Sequence, residues 1–277
     1  MKPSPIFTVF IHLTALLVAV AVLAPLAWLF LMSVSSQAEL MAKPLVWWPE
    51  TFDFSRYAEL LSPETGAAFL AALRNSVSVA TMATLAALAV GIPAGWAASR
   101  QPRLGWSLGA VIATYMLPPV ALSVPLYLIL ARFGLLNNVF GLALVYLSIL
   151  APFVTWLLKA GFDPIPRDLE RAAAIDGASL WQMLRLILLP LALPVVATAL
   201  IFAFLLAWDE FFYALLFTSN QDAKTLSVAI ADLAGGRVSD YGMIATAGVI
   251  AALPPVAVGL LMQRALISGL TNGGVKG

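Results

Sequence analysis

The stretch "DPIPRDLERAAAIDGASLWQMLRLILLPLALP", residues 163–194, decides the fold, because it changes from polar and alanine-rich to continuously apolar. Pro166 suits the start of a helix, where a missing N–H is harmless. Asp168 and Glu170 stand in the first turn, where the helix dipole favours negative charge. Gly177 can adopt the left-handed turn that ends a helix, and a second helix can follow it. The stretch therefore predicts two short helices that lead into an apolar span.

From the residues alone, this helical hairpin has two interpretations. The first is an ordinary connection between two spans. The second is a docking element, because the alanines at 172–174 give a helix with little bulk that can enter a groove on another protein. The glycine turn would then set the angle between the two helices. Both interpretations stay open at this point.

The whole chain is too apolar for a water-soluble protein. Of its 277 residues, 62% are hydrophobic and 10% are charged, whereas soluble domains carry about 25% charged residues. There is no cysteine and only one histidine, which excludes a disulfide framework and a Cys- or His-rich metal site. No glycine-rich loop ends in Lys followed by Ser or Thr, so a nucleotide-binding P-loop is absent. We predict a membrane protein with no catalytic residue, metal or cofactor of its own.

Six segments are apolar enough to cross a bilayer as helices, which takes about 20 residues each. Six crossings place both termini on one side. If that side is the cytoplasm, nine of the 15 Lys and Arg residues lie inside, as the positive-inside rule favours. The fold class is therefore an all-α membrane protein with six transmembrane helices and both termini cytoplasmic. The predicted spans are Phe7–Met32, Ala68–Ser99, Leu104–Ala131, Val139–Leu158, Leu186–Phe217 and Tyr241–Ile267. In the outside loop between the first two spans, Trp47 and Trp48 suit an interfacial anchor.

The hairpin resembles the "EAA" loop of permease subunits in binding-protein-dependent ABC importers. That pattern runs E-A-A, two residues, D-G-A, and then a hydrophobic helix with L-P. Here "RAAAIDGA" occupies residues 171–178 and "LLP" occupies 188–190. Arg171 stands where the family has its glutamate, and Glu170 lies one position early. The D-G-A core fits fully.

Four other stretches are similar to carbohydrate-type importer permeases, the family that includes the smaller maltose permease subunit. They are "WWPETFDFSRYAELL" at 47–61, "RNSVSVA" at 74–80, "AWDEFFYALLF" at 207–217 and the tail "GLTNGGVKG" at 269–277. The resemblance implies the type I ABC importer permease fold in the cytoplasmic (inner) membrane. It divides the chain into a first helix with its external loop (1–67), a transmembrane domain (68–268) with a coupling loop at 162–185, and a cytoplasmic tail (269–277).

The resemblance also implies partners. They are a second permease subunit, an ATPase dimer that binds ATP and Mg, an external solute-binding protein and membrane lipid. No nucleic acid is expected. The substrate class is a sugar or a related polyol or glycerol phosphate. The resemblance assigns ATPase coupling to Glu170, Arg171, Ala172, Ala173, Asp176, Gly177 and Ala178, and a tail contact with the ATPase to Asn272, Gly273, Gly274 and Lys276.

Two adjacent carboxylates, Asp209 and Glu210, interrupt the fifth apolar segment. If the helix continues through them, Glu210 shares a face with a stripe of alanines and points towards protein. If the helix ends early, both carboxylates are already in contact with water. By resemblance, this helix lines the translocation pathway. We expect the pathway residues to be Asn75, Tyr127, Trp208, Asp209 and Glu210, although a helix cap is a simpler role for Asn75 and its neighbour Ser76.

The alternative function is a proton-coupled secondary transporter in which Asp209 or Glu210 carries the proton. Such transporters are often built from internal repeats, and the six spans contain none that we can detect. A structural membrane subunit without transport activity is a further alternative. Neither accounts for the hairpin motif and the tail.

Overall fold

The computed structural model describes residues 5–114, 117–235 and 240–272, and the side chains in these ranges except at 5, 102, 105–107 and 262–272. Every regular element in these ranges is helical. The helices are α1 Pro5–Val34, α2 Gln37–Met41, α3 Ser55–Leu61, α4 Ala67–Arg100, α5 Gly105–Ala113, α6 Pro119–Arg132, α7 Val139–Phe162, α8 Arg167–Ile175, α9 Leu180–Met183, α10 Leu189–Trp208, α11 Phe212–Phe217, α12 Leu226–Ala234 and α13 Tyr241–Asn272. A 3₁₀ turn, Pro102–Leu104, precedes α5, and a π-helix, Leu184–Leu188, joins α9 to α10.

Five helical stretches of the described chain are long and apolar enough to cross a bilayer. They are Ile6–Val34, Ala67–Arg100, Val139–Phe162, Leu180–Trp208 and Tyr241–Leu261. Each of them overlaps one of five of the six predicted spans. The multi-helix membrane architecture predicted from composition is therefore confirmed.

The predicted third span, Leu104–Ala131, is wrong as a single helix. The structure divides it into α5 and the 14-residue α6, which begins at Pro119. Pro118 caps α6 in an extended conformation with ψ of 135°. A residue that precedes proline is pushed out of the helical region, and neither proline donates a backbone hydrogen bond. The proline pair therefore separates the two helices.

The predicted fifth span, Leu186–Phe217, is wrong at both ends. Its helix begins at Leu180 and continues through the π-helix, and it ends at Trp208. The last residues of the predicted span form the separate six-residue helix α11. The alanine stripe in α10 is confirmed as a buried face, since Ala199, Ala203 and Ala207 are all buried.

The described chain divides into two compact units, and the larger one runs from Ala71 to Val228 and continues from Pro254. Its helices approach one another at glycines of α4 and α7. A Cβ at Gly91 would lie 2.7 Å from Val154 Cγ1, and one at Gly161 would lie 2.6 Å from Val195 Cγ1. Small residues at such crossings are how membrane helices pack closely without a hydrophobic driving force.

The smaller unit comprises the chain up to Leu70 together with Ala229–Leu253. Its centre is the end of α1, where the last carbonyls have no partner within the helix. Thr246 Oγ1 donates to Ser33 O at 3.2 Å, and Arg56 Nη1 donates to Ser35 O at 2.7 Å. The Arg56 guanidinium also pairs with Asp240 at 3.4 Å. Buried Arg56 therefore connects the ends of α1 and α13 within this unit.

The loop after α1 is ordered by short-range contacts. Ser36 and Glu39 form a capping box for α2. Hydrogen bonds from the backbone of Glu50 and then from Ser36 hold the pKa of Glu39 below its ordinary value. Further along the loop, the exposed Trp47 ring packs against Trp28 at a centroid distance of 5.2 Å. An interfacial role for the exposed tryptophans of this loop stays a prediction.

The approach of α7 to α10 is tested by adding one methyl group. We expect Gly161→Ala to lower the apparent melting temperature of the purified protein in detergent, because overpacking costs roughly 1–3 kcal/mol. Gly259→Ala is the matched control, since a Cβ there has nothing within 4 Å. Equal melting temperatures for the two variants would contradict the close helix contact.

Candidate functional site

The hairpin forms as its sequence predicts, with two helices and a left-handed glycine between them. Gly177 has φ of +80°, and a Cβ there would meet no other atom, so backbone conformation is what requires glycine. Ala178 N–H donates to Ala173 O at 3.0 Å, and Gly177 N–H donates to Ala174 O at 3.1 Å. This pair of hydrogen bonds is the Schellman pattern that closes a helix. A capping box between Ser179 and Gln182 then starts α9.

The tip of the hairpin exposes large apolar side chains. The exposed fractions are 86% for Ile175, 71% for Leu180 and 64% for Trp181. Asp176 and Gly177 are exposed between them. Of the alanines, Ala172 and Ala174 are exposed, whereas Ala173 is buried against the rest of the unit. This apolar tip, residues 175–181, is what a surface that docks on another protein requires.

Glu170 faces the chain itself. Its Oε1 accepts from Arg100 Nε at 2.5 Å, and its Oε2 accepts from Trp96 Nε1 at 3.3 Å. The neighbouring Arg171 side chain is 75% exposed and pairs only with Asp168 at 3.1 Å on the same helix. An exposed pair of this kind contributes little to stability. The two charged positions next to the alanines therefore face opposite ways.

A helix break stands where the two carboxylates interrupt the fifth span. Asp209 is the C-cap of α10 and is exposed. Glu210 lies in the short link and folds its carboxylate back onto the start of α11. It accepts from Tyr213 N–H at 2.9 Å and from Ala214 N–H at 3.2 Å. The prediction that Glu210 continues the alanine face of one helix is wrong, because its side chain caps a new helix.

The backbone carbonyl at this break accepts hydrogen bonds from side chains of other helices. Glu210 O accepts from Tyr146 Oη at 3.2 Å and from Ser227 Oγ at 3.2 Å. These donors come from α7 and α12. Because a bare carbonyl is costly in lipid, the two hydroxyls stabilise the interruption.

Asn75 and Ser76 hold the loop that follows α11. The Asn75 amide donates to the carbonyls of Gln221, Asp222 and Lys224 at 3.1–3.3 Å. Ser76 Oγ accepts from Leu226 N–H at 2.8 Å and so caps α12. The helix cap that the sequence suggested is therefore made by Ser76. Asn75 is buried and has its amide group bound to this loop.

The other predicted pathway residues occupy two places. Trp208 is buried and stacks on Phe204 at a centroid distance of 5.8 Å. Tyr127 is exposed and lies 6.4 Å from the Phe217 ring, which stacks in turn on Tyr213.

A cavity of about 390 Å³ adjoins this aromatic cluster, and its lining includes Thr114, Pro119, Leu126, Ser148 and Tyr213. Its three hydroxyl groups donate to backbone carbonyls, with Tyr213 Oη bonded to Pro119 O at 3.2 Å. Their oxygens can still accept hydrogen bonds. Sequence reasoning missed Thr114, Ser148 and Tyr213, although hydroxyl side chains beside a proline-broken span are a usable signal.

The predicted tail contact falls mostly outside the described residues. Asn272 is the last residue of α13. Gly273, Gly274 and Lys276 lie beyond the described ranges. Within those ranges, no group of three or more acidic or histidine side chains could hold a metal ion.

Comparison with known proteins gives consistent similarities. Residues 87–272 match the family model described as "binding-protein-dependent transport system inner membrane component". The chain is 36% identical over 257 residues, 92% of its length and 89% of the other, to the sulfoquinovosyl glycerol transport system permease protein SmoH of Agrobacterium fabrum. It is 32% identical over 281 residues, the full length of both, to the trehalose/maltose transport system permease protein MalG of Thermococcus litoralis.

Among solved structures, the fold is similar to a chain of a bacterial ABC transporter involved in the import of the acidic polysaccharide alginate. The TM-score is 0.76 at 23% identity, with 96% of this chain and 98% of that chain covered.

The cap made by Glu210 is tested by removing its carboxylate. We expect Glu210→Ala to speed hydrogen–deuterium exchange at the amides of Tyr213 and Ala214 by about fivefold, since losing a cap costs about 1 kcal/mol. The exposed neighbour supplies the control, Asp209→Ala, which should leave exchange unchanged. Unaltered protection of α11 in Glu210→Ala would mean that the carboxylate does not close this helix.

Proposed function

The chain belongs to the family of binding-protein-dependent transport system inner membrane components, and from that premise we propose that it is one of two permease subunits of an ATP-driven ABC importer. The partners would be a second permease, an ATPase dimer and an external solute-binding protein. ATP and Mg would bind to the ATPase subunits, because this sequence contains no P-loop.

The observation that carries this proposal is the apolar tip of the hairpin. Trp181, Leu180 and Ile175 are each more exposed than 60%, on a segment whose basic flanks suit the cytoplasmic side. An exposed apolar patch that is bordered by polar residues is typical of a protein interaction site. The Schellman turn holds the two short helices at a fixed angle. We assign this tip to docking in a cleft of the ATPase.

The proposed substrate is a sugar or a related polyol or glycerol phosphate. The relatives with 32–36% identity are named for sulfoquinovosyl glycerol and for trehalose and maltose. The hydroxyl-lined cavity beside Tyr213 is the proposed stretch of pathway in this chain, because hydroxyl oxygens can accept from sugar hydroxyls. Tyr127 adds an exposed aromatic face close to it. Trp208 and Asn75 are buried. They would therefore pack against the residues that line the pathway and would not contact the substrate.

We infer that α5 and α6 together make the sixth crossing. Fourteen residues in α6 rise about 21 Å, which is too short for a bilayer core of about 30 Å. A broken helix is tolerated at this depth where it lies against protein or a water-lined cavity. The start of α6 lies against protein, since Tyr213 of α11 donates from Oη to Pro119 O at 3.2 Å. With this crossing, both termini lie on the cytoplasmic side, where the tail residues Asn272, Gly273, Gly274 and Lys276 could reach the ATPase.

The import cycle follows from this arrangement. Closure of the ATPase dimer on ATP would displace the hairpins of both permeases and turn the pathway outwards. The binding protein would then release its solute into the opened pathway. The proton-coupled alternative loses Glu210 as a carrier, because both of its carboxylate oxygens cap α11, and it then depends on the exposed Asp209 alone. Uptake that collapsed with an uncoupler while ATP remained high would restore that alternative.

The docking assignment is tested by truncating one exposed ring. We expect Trp181→Ala to reduce co-purification of the ATPase subunits by about tenfold or more, because aromatic anchors dominate interface energies. Trp156→Ala is the matched control, since Trp156 is also exposed but lies on α7 within a membrane span. Equal recovery of ATPase with the two variants would exclude the apolar tip as the docking site.

A further inference from the structure

We propose that Glu170 is a positioning residue that fastens α8 to the cytoplasmic end of α4, so that a push on the hairpin moves α4 and α7 with it. The proposal rests on the proposed function, because it concerns how motion of a docked hairpin enters the spans. Glu170 would act through Arg100 inside this chain, without touching the ATPase.

Arg100 is the centre of the connection. It is the last residue of α4, and its side chain is only 13% exposed, compared with 15% for Glu170. Besides the ion pair, Nη1 donates to Phe162 O at 3.1 Å and Nη2 donates to Ile165 O at 3.2 Å. Phe162 ends α7, and Ile165 lies in the link to α8. One guanidinium therefore joins α4, α7, the link and α8, because its planar fork places donors on three separate nitrogens, whereas a lysine has all of its donors on one.

Hydrogen bonds are also donated from α8 to the end of α4. Arg167, the first residue of α8, donates from Nη2 to Arg100 O at 3.1 Å and to Ser99 O at 3.4 Å. These are carbonyls of the last turn of α4, which have no partner within the helix. Trp96, one turn earlier, holds the second oxygen of Glu170. Residues of α4 therefore bind both carboxylate oxygens of Glu170 in α8, and Arg167 of α8 binds free carbonyls at the end of α4.

The two flanks of the hairpin differ in stiffness. On the α8 side, α4 and α7 are in contact at Gly95, where a Cβ would lie 3.0 Å from Leu158 Cβ. The α9 side enters α10 through the π-helix Leu184–Leu188, and Pro190 is the second residue after it. Both features weaken the regular hydrogen-bond ladder of a helix. A displacement of the hairpin should therefore pass to α4 and α7, while the junction with α10 bends.

The first test uses the chain alone. Hydrogen–deuterium exchange of residues 167–175 should be about tenfold faster in Glu170→Gln, because hydrogen bonds to charged groups are the strong ones. Trp96→Phe removes one hydrogen bond and should give a smaller increase. Asp168→Asn removes an exposed carboxylate from the same first turn of α8, so it controls for the loss of helix-dipole stabilisation and should give a much smaller increase than Glu170→Gln. Unchanged protection of α8 in Glu170→Gln would overturn the fastening.

The second test uses the complex reconstituted with its ATPase subunits. The chain has no native cysteine, so a nitroxide on one cysteine introduced at Leu85, an exposed position of α4, reports on that helix alone. ATP with vanadate should change its spectrum in the otherwise unaltered protein. In Glu170→Gln, the change should be lost while ATPase recovery stays the same. A fault in folding or docking alone would reduce that recovery.

The outcomes separate the two proposals. If Glu170→Gln loses the ATPase, Glu170 belongs to the docking surface and the positioning role is wrong, whereas the importer function stands. If the spectral change persists in Glu170→Gln, α4 moves without the connection and the positioning role is again wrong. If the unaltered chain recruits no ATPase, the proposed function fails, and exchange in the isolated chain still decides whether Glu170 fastens α8.

Discussion

Lipid offers no hydrogen bonds to a polypeptide backbone. Wherever a helix of this chain ends within the bilayer, its free backbone N–H and C=O groups must therefore find partners in the chain itself. The break after Trp208 shows how. Glu210 caps the helix that follows, and Tyr146 and Ser227 supply donors for the exposed carbonyl. Of the two carboxylates that look out of place in an apolar run, Glu210 is the one that allows the run to be interrupted there.

The same constraint shapes the ends of α4 and α7 beside the hairpin. The ends of α4 and α7 carry unpaired carbonyls, and Arg100 and Arg167 satisfy them. Because these arginines also bind or belong to α8, closing the helix ends fixes the hairpin against the spans. In the proposed mechanism, stability and coupling depend on the same side chains. The apolar tip beyond them remains exposed and is available to a partner.

Composition and local motifs were sufficient to predict the membrane class, five of the spans and the hairpin with its glycine turn, because each depends on residues adjacent in sequence. Predictions failed where contacts between distant residues decide the structure. No local pattern reveals that Glu210 ends one helix and starts another, since its stabilising hydroxyls come from α7 and α12. The proline pair at 118–119 is a local signal for a helix break. The apolar residues on both sides of it nevertheless favour the prediction of one continuous span. The hydrogen-bond partners of Asn75 lie 146–149 residues further along the chain, so no local pattern indicates them.

The central claim is that the hairpin tip receives mechanical input from a separate ATPase. The most direct measurement is photo-crosslinking in intact membranes from a benzoylphenylalanine placed at Ile175, compared with one placed at Leu169 on the same hairpin. The account predicts an adduct with the ATPase subunit from position 175, with a weaker yield from position 169, which is half as exposed. Adducts only with lipid or with other chains from position 175 would contradict it.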